Sequence, residues 1–130
     1  MANFKALAAA RRSLLARLGW DVESNGQGRV IASRLPPLNR PSIVCIQAGN
    51  VNTGAFDPAA EICTRAQSPE VWVHVDGAFG LWAAASQQYA PHLERVALAD
   101  SWATDAHKRL NEPYDSGLAF VKDPAALKGR

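Results

Sequence analysis

Asp76 follows the apolar run Val71-Trp72-Val73-His74-Val75 and is followed at once by Gly77-Ala78, while Lys108 closes the sequence Asp105-Ala106-His107-Lys108. A carboxylate at the end of a buried strand can hold a cation against it, because opposite charge in a low dielectric favours both ionised forms. A lysine, as the free amine, can attack a carbonyl carbon and form a Schiff base. Each residue also has a plainer reading. Aspartate before glycine commonly turns the chain or caps a helix, and a lysine next to Arg109 suits a solvated basic turn.

Other groups compete less well. Asn50, Asn52 and Gly54 lie in Gly49-Asn50-Val51-Asn52-Thr53-Gly54, where successive backbone N–H groups can form a nest for an anion. Gly/Asn loops more often just turn the chain. His74 and Asp76 share one face of a strand and, with His92, suggest metal ligands, but no third ligand stands at a fixed spacing, so no metal site is expected. Neither a Gly-x-Gly-x-x-Gly or Walker loop nor a Ser/His/Asp arrangement is present.

The elements that must position these residues follow from periodicity. Phe4, Leu7, Ala8, Leu14, Leu15 and Leu18 recur at helical spacing, which predicts a helix over 4–18 with Asn3 as its N-cap and Gly19 as its stop. From Ser24 to Pro41 the chain carries Asn-Gly, Gln-Gly, Pro-Pro and Arg-Pro, which leave room for at most a short strand near Val30 to Ala32. Beyond Ser42, strand-like runs Ile43 to Gln47 and Val71 to Val75 alternate with helical segments Asp57 to Ala66 and Leu81 to Ser86. The first of these helices is expected to take Asp57 as N-cap and Pro58 as its first residue. An apolar segment Leu98 to Ala103 leads to the Asp-Ala-His-Lys turn, and Gly117 to Val121 reads as a further strand. Such alternation argues for βαβ units and a parallel sheet. Ligands of open α/β sheets gather beyond the carboxyl ends of the strands, where Ala48 to Gly54, Asp76 to Ala78 and the approach to Lys108 all fall.

With 130 residues the chain suits one domain able to bury about two-thirds of its unfolded surface. A net charge of +2 gives no basic footprint for nucleic acid. No segment has the roughly 18 to 20 apolar residues needed to span a bilayer. Two cysteines, Cys45 and Cys63, are too few for a disulfide framework and suit a reducing cytoplasm.

Taken together, His74-Val75-Asp76-Gly77-Ala78 and Asp105-Ala106-His107-Lys108 resemble the active centre of the group II amino-acid decarboxylase family, which depends on pyridoxal 5'-phosphate. Ala55-Phe56-Asp57-Pro58, Pro113-Tyr114-Asp115-Ser116-Gly117 and Trp20-Asp21-Val22-Glu23 extend the resemblance, and Met1-Ala2-Asn3-Phe4 resembles the tail of the family's phosphate loop. The resemblance implies an α/β fold: a partial three-layer α/β/α arrangement with a mostly parallel sheet, from the large domain of a fold-type I, aspartate aminotransferase-like enzyme. Residues 1–23 would form its N-terminal helix, 24–41 an irregular connection and 42–130 the βα region.

It also implies roles. Lys108 would form the Schiff base with the cofactor and later return a proton to the substrate Cα. Asp76 would face the pyridinium nitrogen and stabilise the protonated ring. Ala78 would pack beneath the ring, Asn50 would lie against it with its neighbours Gly49 and Val51, His107 would meet the phosphate, and Thr104 is a further cofactor-binding position. The implied activity is an amino-acid carboxy-lyase in a cytoplasmic homodimer with a small-molecule amino-acid substrate and no nucleic-acid or membrane partner.

The chain departs from the family pattern at several points. Asp105 replaces the asparagine of the more familiar Asn-Pro-His-Lys and is expected to point away from a phosphate or be satisfied locally. Arg109 and Glu112 stand where large apolar residues are usual, and are expected either to pair across one helical turn or to lie exposed. Between Glu23 and Pro41 the family's ring-stacking histidine has no counterpart. These gaps lead to the expectation of a truncated or internally deleted large domain, weakly active or inactive. The alternative is a non-catalytic remnant that binds the cofactor weakly or serves only to oligomerise.

Overall fold

The computed structural model describes residues 2–20, 24, 31–33 and 41–127. An alanine-rich run makes the first helix, α1 (Ala2–Arg17), since alanine has the highest intrinsic helix propensity. Ala2, Ala6, Ala9, Ala10, Leu14 and Leu15 are buried, so one alanine-rich face of the helix packs inward. The helix stops as expected at Gly19. With φ +72°, Gly19 lets its own N–H reach Ala16 O at 3.0 Å and lets Trp20 N–H reach Leu15 O at 2.9 Å, a Schellman closure. Asn3 is not the cap that the sequence suggested. It lies inside the helix and its side chain crosses to the sheet.

Among the described residues five strands follow in the order β1 (Ile31–Ser33), β2 (Ser42–Gln47), β3 (Val71–Asp76), β4 (Ser101–Asp105) and β5 (Gly117–Val121). The first four are parallel and β5 returns antiparallel to β4. The expected strand near Val30 to Ala32 is β1; Val30 itself and most of 24–41 lie outside the described residues.

Side-chain alternation splits the core into two layers. On one face Val44, Ile46, Val71, Val73 and Val75 pack with Ala59 and Cys63 of α2 (Ala59–Arg65) and with Leu93 and Ala99. On the other, Ile43 and Trp72 pack with Ala10 and Leu14 of α1 and with Ala126 of the 3-10 turn Pro124–Leu127. Helical elements thus cover both faces of a mostly parallel sheet, the three-layer α/β/α arrangement expected.

Two local expectations are corrected. Asp57 does not cap α2. Its Oδ2 accepts the Gln47 N–H at 2.8 Å and its N–H donates to Gln47 O at 2.9 Å, which satisfies the backbone at the end of β2, and Pro58 takes the cap position instead. The segment Leu81 to Ser86 forms a 3-10 turn over Leu81–Ala85 rather than an α-helix. The apolar stretch Leu98 to Ala103 divides between a further 3-10 turn, Val96–Leu98, and β4, where Trp102 Nε1 donates back to Val96 O at 3.0 Å.

Candidate functional site

β3 and β4 are neighbouring parallel strands in which Asp76 is the register partner of Ala103. Asp76 ends β3, and Lys108 lies in α3 (Ala106–Arg109), the single helical turn after β4. Both candidates therefore stand at the carboxyl edge of the sheet. The two strand ends are stitched together: Gly77 N–H donates to Ala103 O at 2.8 Å, and the buried Thr104 hydroxyl donates to Gly77 O at 2.9 Å. Thr104, expected among the cofactor-binding residues, uses its hydroxyl for this tie.

Asp76 is half-buried, and its Oδ1 accepts the Ala78 N–H at 3.2 Å. The turn-forming role is thus present, and it fixes the rotation of the carboxylate. Ala78 is likewise half-buried beside it. The charge of Asp76 is felt on the adjacent strand, where the Cys45 thiol is pushed up, first by burial and then by Asp76.

On β3, two residues before Asp76, His74 is fully buried. Ser101 Oγ lies 2.9 Å from His74 Nδ1 and accepts Trp72 Nε1–H at 2.8 Å. His74 Nε2 lies 3.1 Å from Asn3 Oδ1, which can only accept, so in the neutral ring Nε2 carries the hydrogen and Nδ1 accepts from the Ser101 hydroxyl. Burial pulls the His74 pKa down, and Asp76 offsets part of that fall. This chain of contacts makes His74 a structural residue that ties α1 to β3 and β4. Among the described residues no group of histidine, cysteine, aspartate and glutamate could hold a metal, and the His74, Asp76, His92 reading is set aside; His92 stacks on Phe56 with ring centroids 5.0 Å apart.

Lys108 Nζ lies 2.6 Å from Asp105 Oδ2 and 4.1 Å from the centroid of the Phe79 ring. Arg109 is exposed and its Nε donates to Phe79 O at 3.3 Å, so two consecutive cations grip one aromatic residue of the loop after β3. Of the two expectations for Arg109 and Glu112, exposure is the one found. Asp105 is satisfied locally, by the lysine itself. His107 Nδ1 accepts the Ser116 N–H at 3.1 Å, and its ring meets Tyr114 edge-on at 4.6 Å.

Asn50 is committed to its own loop. Its Oδ1 accepts the N–H groups of Asn52 at 3.0 Å and Thr53 at 3.1 Å, and its amide donates to Gln47 Oε1 at 2.9 Å. Its own N–H goes to Ala55 O and that of Gly54 to Asn50 O, both at 2.8 Å. Those donors point inward, which corrects the idea of an anion nest in this loop. The loop instead forms one wall of a cleft of about 510 Å³ whose other wall is Phe79, Gly80, Trp82 and Tyr89, with Arg109 at its margin. Asp76, Ala78, His107 and Lys108 do not line it.

Phe79, Ser101 and Trp72 were not singled out from the sequence. An aromatic residue directly after Asp-Gly-Ala and a serine heading an apolar strand are the signals that could have pointed to them. The reactive groups fit two points of a pyridoxal cofactor, an amine and a carboxylate on one edge. The loop donors and the His107 Nδ1 already have partners within the chain.

Residues 38–130 match the model of the pyridoxal-dependent decarboxylase conserved domain. The chain is 34% identical over 88 residues to an aromatic-L-amino-acid decarboxylase of Bacillus atrophaeus and 38% identical over 88 residues to an aspartate 1-decarboxylase of Aliivibrio fischeri. Each alignment covers 68% of this chain but only 18% and 16% of those relatives. In fold, it superposes with TM-score 0.81 on a glutamate decarboxylase domain from Vibrio parahaemolyticus, at 20% identity over 96% of this chain and 38% of that one. It superposes with TM-score 0.77 on an Oryza sativa TDC solved with PLP and tryptamine, at 24% identity over 97% of this chain and 36% of that one. The matched span contains the β3 carboxylate and the lysine after β4, and the chain belongs to the pyridoxal-dependent decarboxylase family.

Proposed function

We propose that this chain carries the lysine and carboxylate of a pyridoxal 5'-phosphate-dependent amino-acid carboxy-lyase. The observation that carries the reading is that Asp76 ends β3 and Lys108 lies in the turn after β4, the adjacent parallel strand, with its Nζ over the ring of Phe79 from the loop after β3. Lys108 would hold the cofactor covalently and Asp76 would face its ring nitrogen. When bound, the cofactor supplies an electron sink for the pair left when a bond to the substrate Cα breaks. Asp76 contributes a carboxylate whose rotation is fixed by the Ala78 N–H. The glycine after it and the Thr104 tie hold the β3 loop on β4. The substrate class is an amino acid, the assembly a homodimer, and the two free thiols, Cys45 and Cys63, suit the cytoplasm.

Incubating the full chain with pyridoxal phosphate, reducing with borohydride and mapping the modified peptide tests this reading. Attachment at Lys108, lost in Lys108→Ala and weakened in Asp76→Asn, supports it. Attachment spread over several lysines overturns it.

A second reading is favoured by the 2.6 Å ion pair that occupies Lys108 and by the small share of its relatives that the chain spans. On that reading the chain binds the cofactor weakly or serves as an oligomerising fragment. Weak, saturable cofactor absorbance without turnover would distinguish it.

A further inference from the structure

β4 ends at Asp105, and the chain turns directly into the one helical turn Ala106–Arg109. A carboxylate in this position commonly accepts N–H groups of the following turn. Asp105 makes no such hydrogen bond; its Oδ2 goes to Lys108 Nζ at 2.6 Å, three residues on. The same nitrogen sits 4.1 Å from the Phe79 ring centroid, and the backbone that carries it is tied at 2.8 Å from Ala106 N–H to Ser116 O. Arg109 Nε donates to the Phe79 carbonyl at 3.3 Å, which ties the Phe79 backbone to α3. The ammonium is therefore held by a carboxylate on one side and an aromatic face on another, both interactions that depend on its positive charge.

A lysine attacks a carbonyl carbon only as the neutral amine, so the ammonium must first give up a proton and, with it, both of these contacts. Resting on the reading of Lys108 as the cofactor's amine, we propose that Asp105 is a positioning residue that latches Lys108 over Phe79, and that a carbonyl ligand gains the lysine only by opening this latch. In the opening step the ammonium gives one proton to the Asp105 carboxylate. The neutral amine then attacks the carbonyl carbon, and a C=N bond replaces the C=O bond, whose oxygen leaves as water with the two remaining N–H protons. No oxidant or reductant is needed. The Asp105 substitution noted in the sequence thus acts on the lysine, independently of any phosphate.

Two measurements on the full chain test the latch without pyridoxal phosphate. Treating the wild-type chain with a water-soluble carbodiimide should join Asp105 to Lys108 as an amide, seen on peptide mapping as the loss of one water between them and a blocked tryptic site at Lys108. In Asp105→Asn, labelling by propionaldehyde and cyanoborohydride should speed up at Lys108 by about two- to five-fold, the range expected when a partly exposed ion pair is removed. Lys5 and Lys122 in the same molecule should not change. An unchanged Lys108 rate in a folded Asp105→Asn chain overturns the proposal. If that variant does not fold by circular dichroism, the amide decides: its formation supports the latch and its absence overturns it. Failure of pyridoxal phosphate to attach at Lys108, with the propionaldehyde effect intact, would overturn the proposed function and leave the latch standing.

Discussion

Gly49 and Gly80 pack backbone against backbone: a Cβ on Gly80 would stand 2.5 Å from Ala48 O, and one on Gly49 would stand 2.8 Å from Gly80 Cα. The contact joins the loop after β2 to the loop after β3 and is reinforced by Gly80 N–H donating to Ala48 O at 3.0 Å. It sets the spacing between the two walls of the aromatic cleft. Gly80→Ala is expected to cost about 1 to 3 kcal/mol, the usual range for overpacking where backbone must yield. Gly54 has a positive φ of 71° but no atom within 4 Å of its added Cβ, so Gly54→Ala should cost only the left-handed backbone strain of about 1 to 2 kcal/mol and leave the cleft intact. Urea titrations of both variants, with aromatic fluorescence as a probe of the cleft, would separate the two costs.

Removing the Thr104 hydroxyl should loosen the Asp76 loop. Thr104→Val removes one of the two donors to the Gly77 carbonyl, which keeps the Leu81 N–H at 3.2 Å, so the expected cost is that of one hydrogen bond, about 0.5 to 1.5 kcal/mol. Thr104→Ser restores the donor and should recover most of that loss. A thermal melt that ranks valine equal to serine would show that the tie between β3 and β4 is energetically idle.

Stability should fall in mild acid because of His74. Its pKa is lowered in the fold, chiefly by burial. Above about pH 6.5, the ordinary histidine value, the imidazole is neutral in both folded and unfolded chains and its contribution is complete. As the pH drops below that value the unfolded chain takes up the proton first, so stability is lost progressively down to the lower folded-state pKa. Melting temperatures at pH 7.5 and 5.5 should therefore differ more for the wild-type chain than for His74→Gln.

Decarboxylation by the chain alone should be marginal. Positioning supplies many kcal/mol of a catalysed barrier, and a small misplacement costs about a hundred-fold. The chain spans 16% to 18% of the curated relatives named above. Release of CO₂ from a panel of amino acids with added pyridoxal phosphate should stay well below the usual enzyme range of roughly 1 to 10³ per second. Turnover within that range, abolished by Lys108→Ala, would contradict the expectation.

The strands and the placement of Asp76 and Lys108 were legible in the sequence for a simple reason. β2 and β3 are short, continuous apolar runs because a central parallel strand is buried on both faces, and the ends of such runs mark the carboxyl edge. Side-chain partners were less legible. Asn3 looks like a cap by local spacing, yet its partner is His74, 71 positions away, and no local pattern encodes that distance. Asp57 looked like a cap for the same reason, and its use by Gln47 depends on how the loop after β2 folds back. The Asp105–Lys108 spacing of three was visible, but only the course of the chain from β4 into a single helical turn brings the two groups together. Ser101 gave no signal beyond its type, because its role as a hub depends on the register of β3 against β4.

The pairing of Asp105 with Gly117 and of Ala106 N–H with Ser116 O closes the neck of an excursion that runs from His107 to Asp115. Chain leaves and re-enters the sheet at one point, so the ends of the excursion are fixed independently of its length. Loop-closure entropy grows only slowly with length, and the tip is exposed, its Tyr114 touching the chain edge-on at the His107 ring. Residues 110–115 can therefore be lengthened, shortened or exchanged without shifting the register of β4 or β5. The lysine sits at the neck of this excursion, which makes the excursion a natural module for altering what approaches the amine while the scaffold that holds it stays the same.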